Sequence, residues 1–431
     1  MPPHFPKTGL SLSGGGYRAA AFHLGTLKKL KGLGILDKID IISTISGGSI
    51  TGAYYALHAD DYDYFEKTLY NALQDRHVVK NVLLSTTFFQ LLFVVAIFLG
   101  PAIYFLFTPH AWLFPILFLG LLLILFKFQF TIFPVSKRIE TLYDRFFYHK
   151  KTLKDLPAHP LLVIGSTNLQ TAKPFTFSKN WMQDTTYQYV KPKITFVSAN
   201  FPVSRAVMAS SCVPFAFTPV NIAREFFTVA ADADRVHPML VDGGVYDNQG
   251  IHKIMQEGQY SCDFVITSDA GGGDKGELTF KNTIALLLQT VEVFMQRIKN
   301  VQMVQDIYDN ASGANKEIAY LSLGWDVERS IPGFVDNLEG KHIPGRVIAA
   351  HQLLPEWVAD PKLYRETITR HLERTSGYHS IPKPTPEEKK IARTVGTNLT
   401  ALSKSQVDCL IKQAMALTEI QIKLYCPSVF K

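Results

Sequence analysis

Outside one long uncharged stretch, short apolar runs alternate with segments of helical periodicity. Strand-like runs are "GLSLS" (Gly9 to Ser13), "DIISTI" (Asp40 to Ile45), "LLVIGSTNL" (Leu161 to Leu169) and "ITFVS" (Ile194 to Ser198). Three more follow: "MLVDG" (Met239 to Gly243), "DFVITSDA" (Asp263 to Ala270) and "EIAYLSLG" (Glu317 to Gly324). Their near-continuous Val, Ile and Leu content suits strands covered on both faces. Helical patterns occupy Tyr17 to Leu33, Gly47 to His58, Thr279 to Tyr308 and Lys404 to Tyr425. The alternation predicts an α/β sheet with helices on both sides. Thr385 followed by Pro386 reads as an N-cap with proline at the first helical position. Trp325 to Pro384, rich in Gly, Pro and charge, reads as irregular surface structure, and no internal repeat is visible.

The interruption is the segment from Asn81 to Phe126, which holds no Asp, Glu, Lys or Arg. A bilayer span needs about 20 apolar residues, more than a buried core helix usually offers. Val82 to Phe107 is long enough for one span. "TPH" at Thr108 to His110 is a turn, because Pro109 disfavours helix in the residue before it. Ala111 to Phe133 gives a second span if Lys127 snorkels. Tyr104 and Trp112 mark one interface. Arg76 and Lys80 precede the segment and Lys127, Lys137 and Arg138 follow it. Both ends then face the cytoplasm, with the rest of the chain on that side. Gly100-Pro101 allows a re-entrant hairpin instead, and an apolar lid on a soluble enzyme is the plain alternative. The expected division is 1–80 and 136–431 as two parts of one catalytic domain, with 81–135 inserted as a membrane hairpin.

The chain has 431 residues, 47% of them hydrophobic, and a net charge of +7. That charge suits an anionic partner such as a lipid headgroup surface. Lys and Arg are scattered without interleaved aromatics, so a nucleic-acid partner is not expected. Cys212, Cys262, Cys409 and Cys426 lie far apart with no CxxC spacing, which argues against a zinc site and a disulfide scaffold. Met1 to Lys7 is polar and proline-rich, and no secretory signal is expected there. No cluster has metal-ligand spacing and no EF-hand loop is present, so neither metal nor cofactor is expected.

Two glycine-rich turns carry the candidate chemistry. "SGGGYR" places Gly14, Gly15 and Gly16 between a strand and the helix from Tyr17. Glycines there let N–H groups point inward beside the positive helix end, a cradle for a phosphate or an oxyanion. The P-loop lysine is missing, while Arg18 supplies fixed charge. In "TISGGS", Ser46 stands where a strand breaks into a helix, with Gly48 two places on, as in the G-x-S-x-G elbow. Thr44 occupies the position of the first glycine of that pattern. A capping serine is the alternative role for Ser46, and Ser43 and Ser49 are competing hydroxyls.

A nucleophilic serine needs a base. Asp242 in "VDGGVYDN" ends a strand run before Gly243 and Gly244, which would place its carboxylate at the sheet edge beside Ser46. A turn aspartate is the bland alternative. A triad completed by His351 or His371 is allowed by chain order, but none of the thirteen histidines ends a strand among turn residues. A Ser46–Asp242 dyad is the better reading.

"GGGYRAA", "SGGS", "RAVMASSCVPFAFTPV" (Arg205 to Val220) and "DGG", in this order, resemble the patatin-like phospholipases. The closing "LSKSQVDCLIKQAMALTEIQIKLY" resembles the last helix of bacterial members. The likeness runs over Thr8 to Pro219 without the hairpin, Val241 to Ala270, and the last helix. It implies a three-layer α/β/α fold with a mostly parallel sheet, and hydrolysis of lipid acyl esters through a dyad. By position it makes Ser46 the nucleophile, Asp242 the base, and Gly14, Gly15 and Gly16 the oxyanion loop, with Arg18, Gly48, Gly243 and Gly244 in support. The expected substrate is a phospholipid or other acyl lipid, and the expected partner is the bilayer through residues 82–133. A lysophospholipase, triacylglycerol lipase or acyltransferase would use the same dyad. A non-catalytic membrane scaffold is the rival outside catalysis, and a phosphate-binding nest is a weaker one.

Overall fold

A computed structural model describes residues 6–272, 282–306, 310–313 and 315–430. The expected helix from Thr279 to Tyr308 therefore has ends outside the described residues; within them it runs Thr283–Val304.

Among the described residues the chain builds a nine-stranded sheet. Its strands are β1 (Thr8–Leu12), β2 (Ile41–Ile45), β3 (Leu161–Asn168), β4 (Lys173–Ser178), β5 (Trp181–Gln183), β6 (Val220–Asn221), β7 (Met239–Asp242), β8 (Phe264–Asp269) and β9 (Glu317–Ser322). The order is β5-β4-β3-β2-β1-β8-β9, with β7 pairing β3 and β6 pairing β7. From β3 to β9 along this order every pairing is parallel, while β4, β5, β6 and β7 join antiparallel.

Alternate residues of the parallel strands feed two cores. Leu10, Ile42, Ile164, Ile266 and Ala319 face the larger one. Ile41, Val163, Val265 and Ile318 face the smaller one, which Ile251 and Ile254 close from the other side. Burial on both faces is why these strands read as unbroken apolar runs. On the larger face α1 (Gly16–Gly32) packs against α2 (Gly47–Leu57) and the C-terminal helix (Lys404–Tyr425). The Thr385 cap forms, with Glu388 closing a capping box.

Ile194 to Ser198 is not a strand; it makes one bridge, Phe196 to Phe227. Phe196 instead stacks among Phe175, Tyr187 and Phe227, so its apolar pattern reflects an aromatic cluster. Trp325 to Pro384 is not irregular: it holds helices Ser330–Glu339, Gly345–Ala350 and Arg365–Ser376. Ile331, Phe334, Val335 and Leu338 bury one face of the first, a helical stripe that the surrounding Gly, Pro and charge obscure.

The uncharged segment forms two antiparallel-neighbour helices, Thr86–Leu106 and Leu113–Ile132, packed on one another. Ser85 caps the first by accepting from the Phe88 N–H at 3.2 Å. Val82, expected in that span, belongs to a separate short helix, Val78–Leu83. Pro101 lies inside the first helix, so the chain does not turn at Gly100-Pro101. At about 30 Å each, both helices match a hydrocarbon core. Only Ala102 and Leu121 are buried in them.

Because Phe334 is fully buried against Tyr425 and His351, Phe334→Ala should lower unfolding free energy by about 3–5 kcal/mol. Chemical denaturation of the detergent-solubilised chain checks this; a cost within 0.5 kcal/mol, as at a surface site, would refute the packing described.

Candidate active site

Strand β3 brings the two candidate groups together. β2 pairs with β3 up to Ile45, opposite Gly165. β7 arrives from the other direction and ends with Asp242 opposite Ser166. Consecutive residues of one strand therefore partner the residue before Ser46 and Asp242 itself. The carboxylate reaches the edge beside Ser46 as expected, but on an antiparallel strand. Gly243, the next residue, leaves no room for a side chain: a Cβ there would lie 2.5 Å from the Gly165 carbonyl.

Ser46 has φ 50° and ψ −117°, a left-handed backbone rare for a residue with a Cβ. This is the strained turn expected of an elbow. Its N–H donates to Ser210 Oγ at 2.8 Å, and Ser210 Oγ donates to the Gly165 carbonyl at 2.6 Å. The same segment holds Asp242, whose N–H donates to the Cys212 carbonyl at 2.8 Å, while the Gly243 N–H reaches the Ser210 carbonyl at 3.2 Å. Ser210 thus braces both turns. It lies in the "ASSC" run, where no residue-level signal assigned it a role.

The glycine loops abut. A Cβ on Gly47 would sit 2.7 Å from the Gly16 nitrogen. The Gly48 N–H donates to the Ser13 carbonyl at 3.0 Å, locking the second turn to the first. Gly15 and Gly16 have φ of 139° and 58°, so the loop needs glycine there. The Gly14 N–H is already taken by the Asn248 carbonyl at 2.9 Å. Among the described residues, no hydrogen bond occupies the N–H groups of Gly15, Gly16 or Gly47. Two further supports were not evident from sequence. His23, wholly buried, bonds the Ser13 carbonyl and Ser268 Oγ, each at 2.9 Å, and burial pushes its pKa down to about 4. The Asn398 carbonyl accepts from the Tyr17 N–H at 2.9 Å and lies against Gly16.

Burial raises the Asp242 carboxyl to about 6, against the pull of hydrogen bonding from the Gly244 N–H and the Ser46 hydroxyl. The Gly244 N–H contact is 2.7 Å. Ser46 itself is 8% exposed, so the site is nearly closed. Arg18 lies beside Gly15, bonds the Val395 carbonyl at 3.2 Å, and feels the carboxylates of Asp269 and Glu292. His351 and His371 bond the carbonyls of Leu424 and His351 instead of approaching Ser46. Ser43 points into a cavity of about 140 Å³ behind the turn, and Ser49 bonds Thr44. Among the described residues, no three His, Cys, Asp or Glu side chains gather as a metal site.

Thr44 stands where the elbow pattern has glycine, and the structure shows why it fits. Its hydroxyl donates to the Val163 carbonyl at 3.3 Å and accepts from Ser49. Its methyl faces Gly52 of α2, where a Cβ would be only 2.5 Å from Cγ2. The close approach is kept by moving the glycine from strand to helix. Gly52→Ala should therefore overpack this contact, and Thr44→Ser should relieve it. A double-mutant cycle of unfolding free energies should show a coupling of about 1–3 kcal/mol, the helix-propensity gain of alanine cancelling in the cycle. Additivity would mean that Thr44 and Gly52 do not compensate each other.

Among curated protein sequences none matches the chain. Two solved structures show low likeness. VipD from Legionella pneumophila is 14% identical with a TM-score of 0.33, covering 99% of this chain and 87% of that one. The full-length ExoU–SpcU complex of the type III secretion system of Pseudomonas aeruginosa gives 12% identity and a TM-score of 0.24, covering 94% and 76%. A family model, patatin-like phospholipase, matches residues 10–254, more than half of the chain, from within β1 through the Asp242 turn. This protein belongs to the patatin-like phospholipase family.

Proposed function

We propose that the chain is a membrane-associated serine hydrolase that cleaves fatty-acyl esters of phospholipids through Ser46 and Asp242. Family membership makes it a lipid ester hydrolase. The observation that carries the finer reading is the left-handed Ser46 turn set against Asp242 by neighbouring residues of β3.

In this mechanism Asp242 accepts the Ser46 proton as Oγ forms a bond to the ester carbonyl carbon. The oxyanion is held by the N–H groups of Gly15 and Gly16, with Gly47 beside them, since Gly14 is engaged by Asn248. Each such donor is worth about 3–4 kcal/mol in comparable sites. The carbonyl re-forms as the lipid alcohol leaves with a proton returned from Asp242. Water, deprotonated by the same carboxylate, then attacks the acyl-serine, and Asp242 hands that proton to Ser46 Oγ as its bond to the acyl carbon breaks and the fatty acid is freed.

The two bare apolar helices support membrane association, and the basic flanks would place both of their ends on the cytoplasmic side. Holding the site at a bilayer raises the local concentration of a substrate scarce as free monomer. All four cysteines are buried, so introduced ones label selectively. Labels at Thr108→Cys and Lys80→Cys should react from opposite sides of sealed vesicles; reaction from a single side would eliminate a spanning hairpin.

Fatty-acid release from mixed phospholipid vesicles should vanish in Ser46→Ala and in Asp242→Asn, with both variants folded. With Asp242 near 6, activity should fall about tenfold per pH unit below that point as the base protonates. Retained activity in either variant would remove that residue from the chemistry.

The same shift carries a stability consequence. A folded-state pKa raised from 3.8 to about 6 leaves stability whole below about pH 4. Stability is then lost as pH rises through about 6, by an amount of order 3 kcal/mol. Asp242→Asn should be the more stable protein at pH 8, and the difference should shrink towards pH 4 in denaturation curves.

A further inference from the structure

The helix Thr283–Val304 is divided into two faces of different purpose. Its inner face is fixed to the site. Met295 reaches Gly244, the residue whose N–H holds Asp242. Lys299 pairs with the buried Asp269 at 2.5 Å, and Gln302 Nε2 donates to the Tyr246 carbonyl at 3.4 Å. Glu292 acts electrostatically on Arg18 beside the glycine loop. These positions follow helical spacing and lay one helix across both the oxyanion loop and the base turn.

The outer face is apolar where a soluble helix carries charge. Leu286, Val293, Phe294, Val301 and Val304 are all exposed, Phe294 at 63%. At 100° per residue they form one stripe, with exposed Arg297 set among them. An apolar stripe carrying a cation complements a phosphate-bearing lipid surface, which takes apolar side chains below its headgroups and cationic ones among them. The base turn also connects to the apolar hairpin. Ser136, just past its second helix, bonds the Thr218 carbonyl and lies 3.5 Å from Cys212 Sγ, and the Cys212 carbonyl accepts the Asp242 N–H. Between Cys212 and Thr218, Phe215 is 66% exposed. Three bare apolar surfaces thus attach to the chain around Asp242.

We propose that the outer face of the Thr283–Val304 helix docks on the lipid bilayer, so that the enzyme meets the membrane at its active-site cover as well as through its hairpin. This rests on the membrane reading above and names the surface that reads the lipid.

The test uses full-length protein carrying Ser46→Ala, reconstituted in phosphatidylcholine–phosphatidylglycerol vesicles, so its readout is independent of hydrolysis. An environment-sensitive fluorophore is placed at Phe294→Cys, at Val301→Cys, and at the control Leu363→Cys, a residue 72% exposed elsewhere. The first two labels should shift to the blue and be quenched by nitroxide lipids, and the control should do neither. Labels at 294 and 301 that stay in water overturn the proposal. So does energy transfer between differently labelled copies without lipid contact, which would assign the face to a second copy. In active protein, Phe294→Gln with Val301→Gln should cut release from vesicles relative to release from a monomeric short-chain ester by about tenfold or more. An unchanged ratio also overturns it. Lipid contact with no hydrolysis by the unsubstituted protein would count against the hydrolase reading alone.

Discussion

Two consecutive residues of β3 hold the proposed dyad. Gly165 closes the pairing with β2 and Ser166 opens the pairing with β7, so two chain ends meet head-on along one strand. Ser46 and Asp242 are the residues at that junction. The junction is braced from below by Ser210, whose hydroxyl accepts the Ser46 N–H and donates to Gly165. A left-handed serine is costly to hold, by about 1–3 kcal/mol, and persists only where its surroundings over-determine it. Here hydrogen bonds from other segments do so, which places the strain at the proposed nucleophile.

Local patterns carried much of this in the sequence, and long-range pairing carried the rest. The parallel strands were legible because burial on both faces leaves continuous Val, Ile and Leu. Ser46, Asp242 and the glycine loop were legible because strand-to-helix turns demand small residues. The direction of β7 was not, since four residues ending in aspartate look alike in either orientation. Nor was the engagement of the Gly14 N–H, which depends on Asn248, far away in sequence. Ser210 and His23 act through single hydrogen bonds across the fold, and such contacts leave no periodic mark. The misread segments erred in opposite ways. Ile194 to Ser198 had an apolar pattern that serves ring packing, and Trp325 to Pro384 had breakers that hide helices with buried stripes.

The apolar helices are best understood from where they attach. Helices that expose Phe107 and Phe126 almost fully are not stabilised by the packed domain. They leave the domain through Val82 and Ser85 on one side and Ser136 on the other, all buried. Ser136 is two contacts from Asp242 through Cys212. On the membrane reading proposed above, an insertion anchored so near Asp242 would put the bilayer and the acyl site on one short path. That arrangement would fit a lipid substrate whose chains must leave hydrocarbon to reach Ser46.

Asp242, Asp247 and Asp269 are buried around this sheet edge, and their partners decide what each can do. Asp269 is pushed up by burial, but Lys299, with Tyr320 and Ser322 donating, brings it below its ordinary value. It is a fixed anion. Asp247 accepts from the backbone N–H groups of Gln249, Gly250 and His252, so its oxygens are spent on a turn. Among the described residues no cation lies against Asp242. Burial dominates, one oxygen takes the Gly244 N–H, and what remains faces the Ser46 hydroxyl. A carboxylate near 6 with a free lone pair towards a hydroxyl is suited to accept a proton at neutral pH, where one near 3.8 would be a much weaker base. Environment, not residue type, separates the three, and it suits Asp242 to the role of base proposed for it.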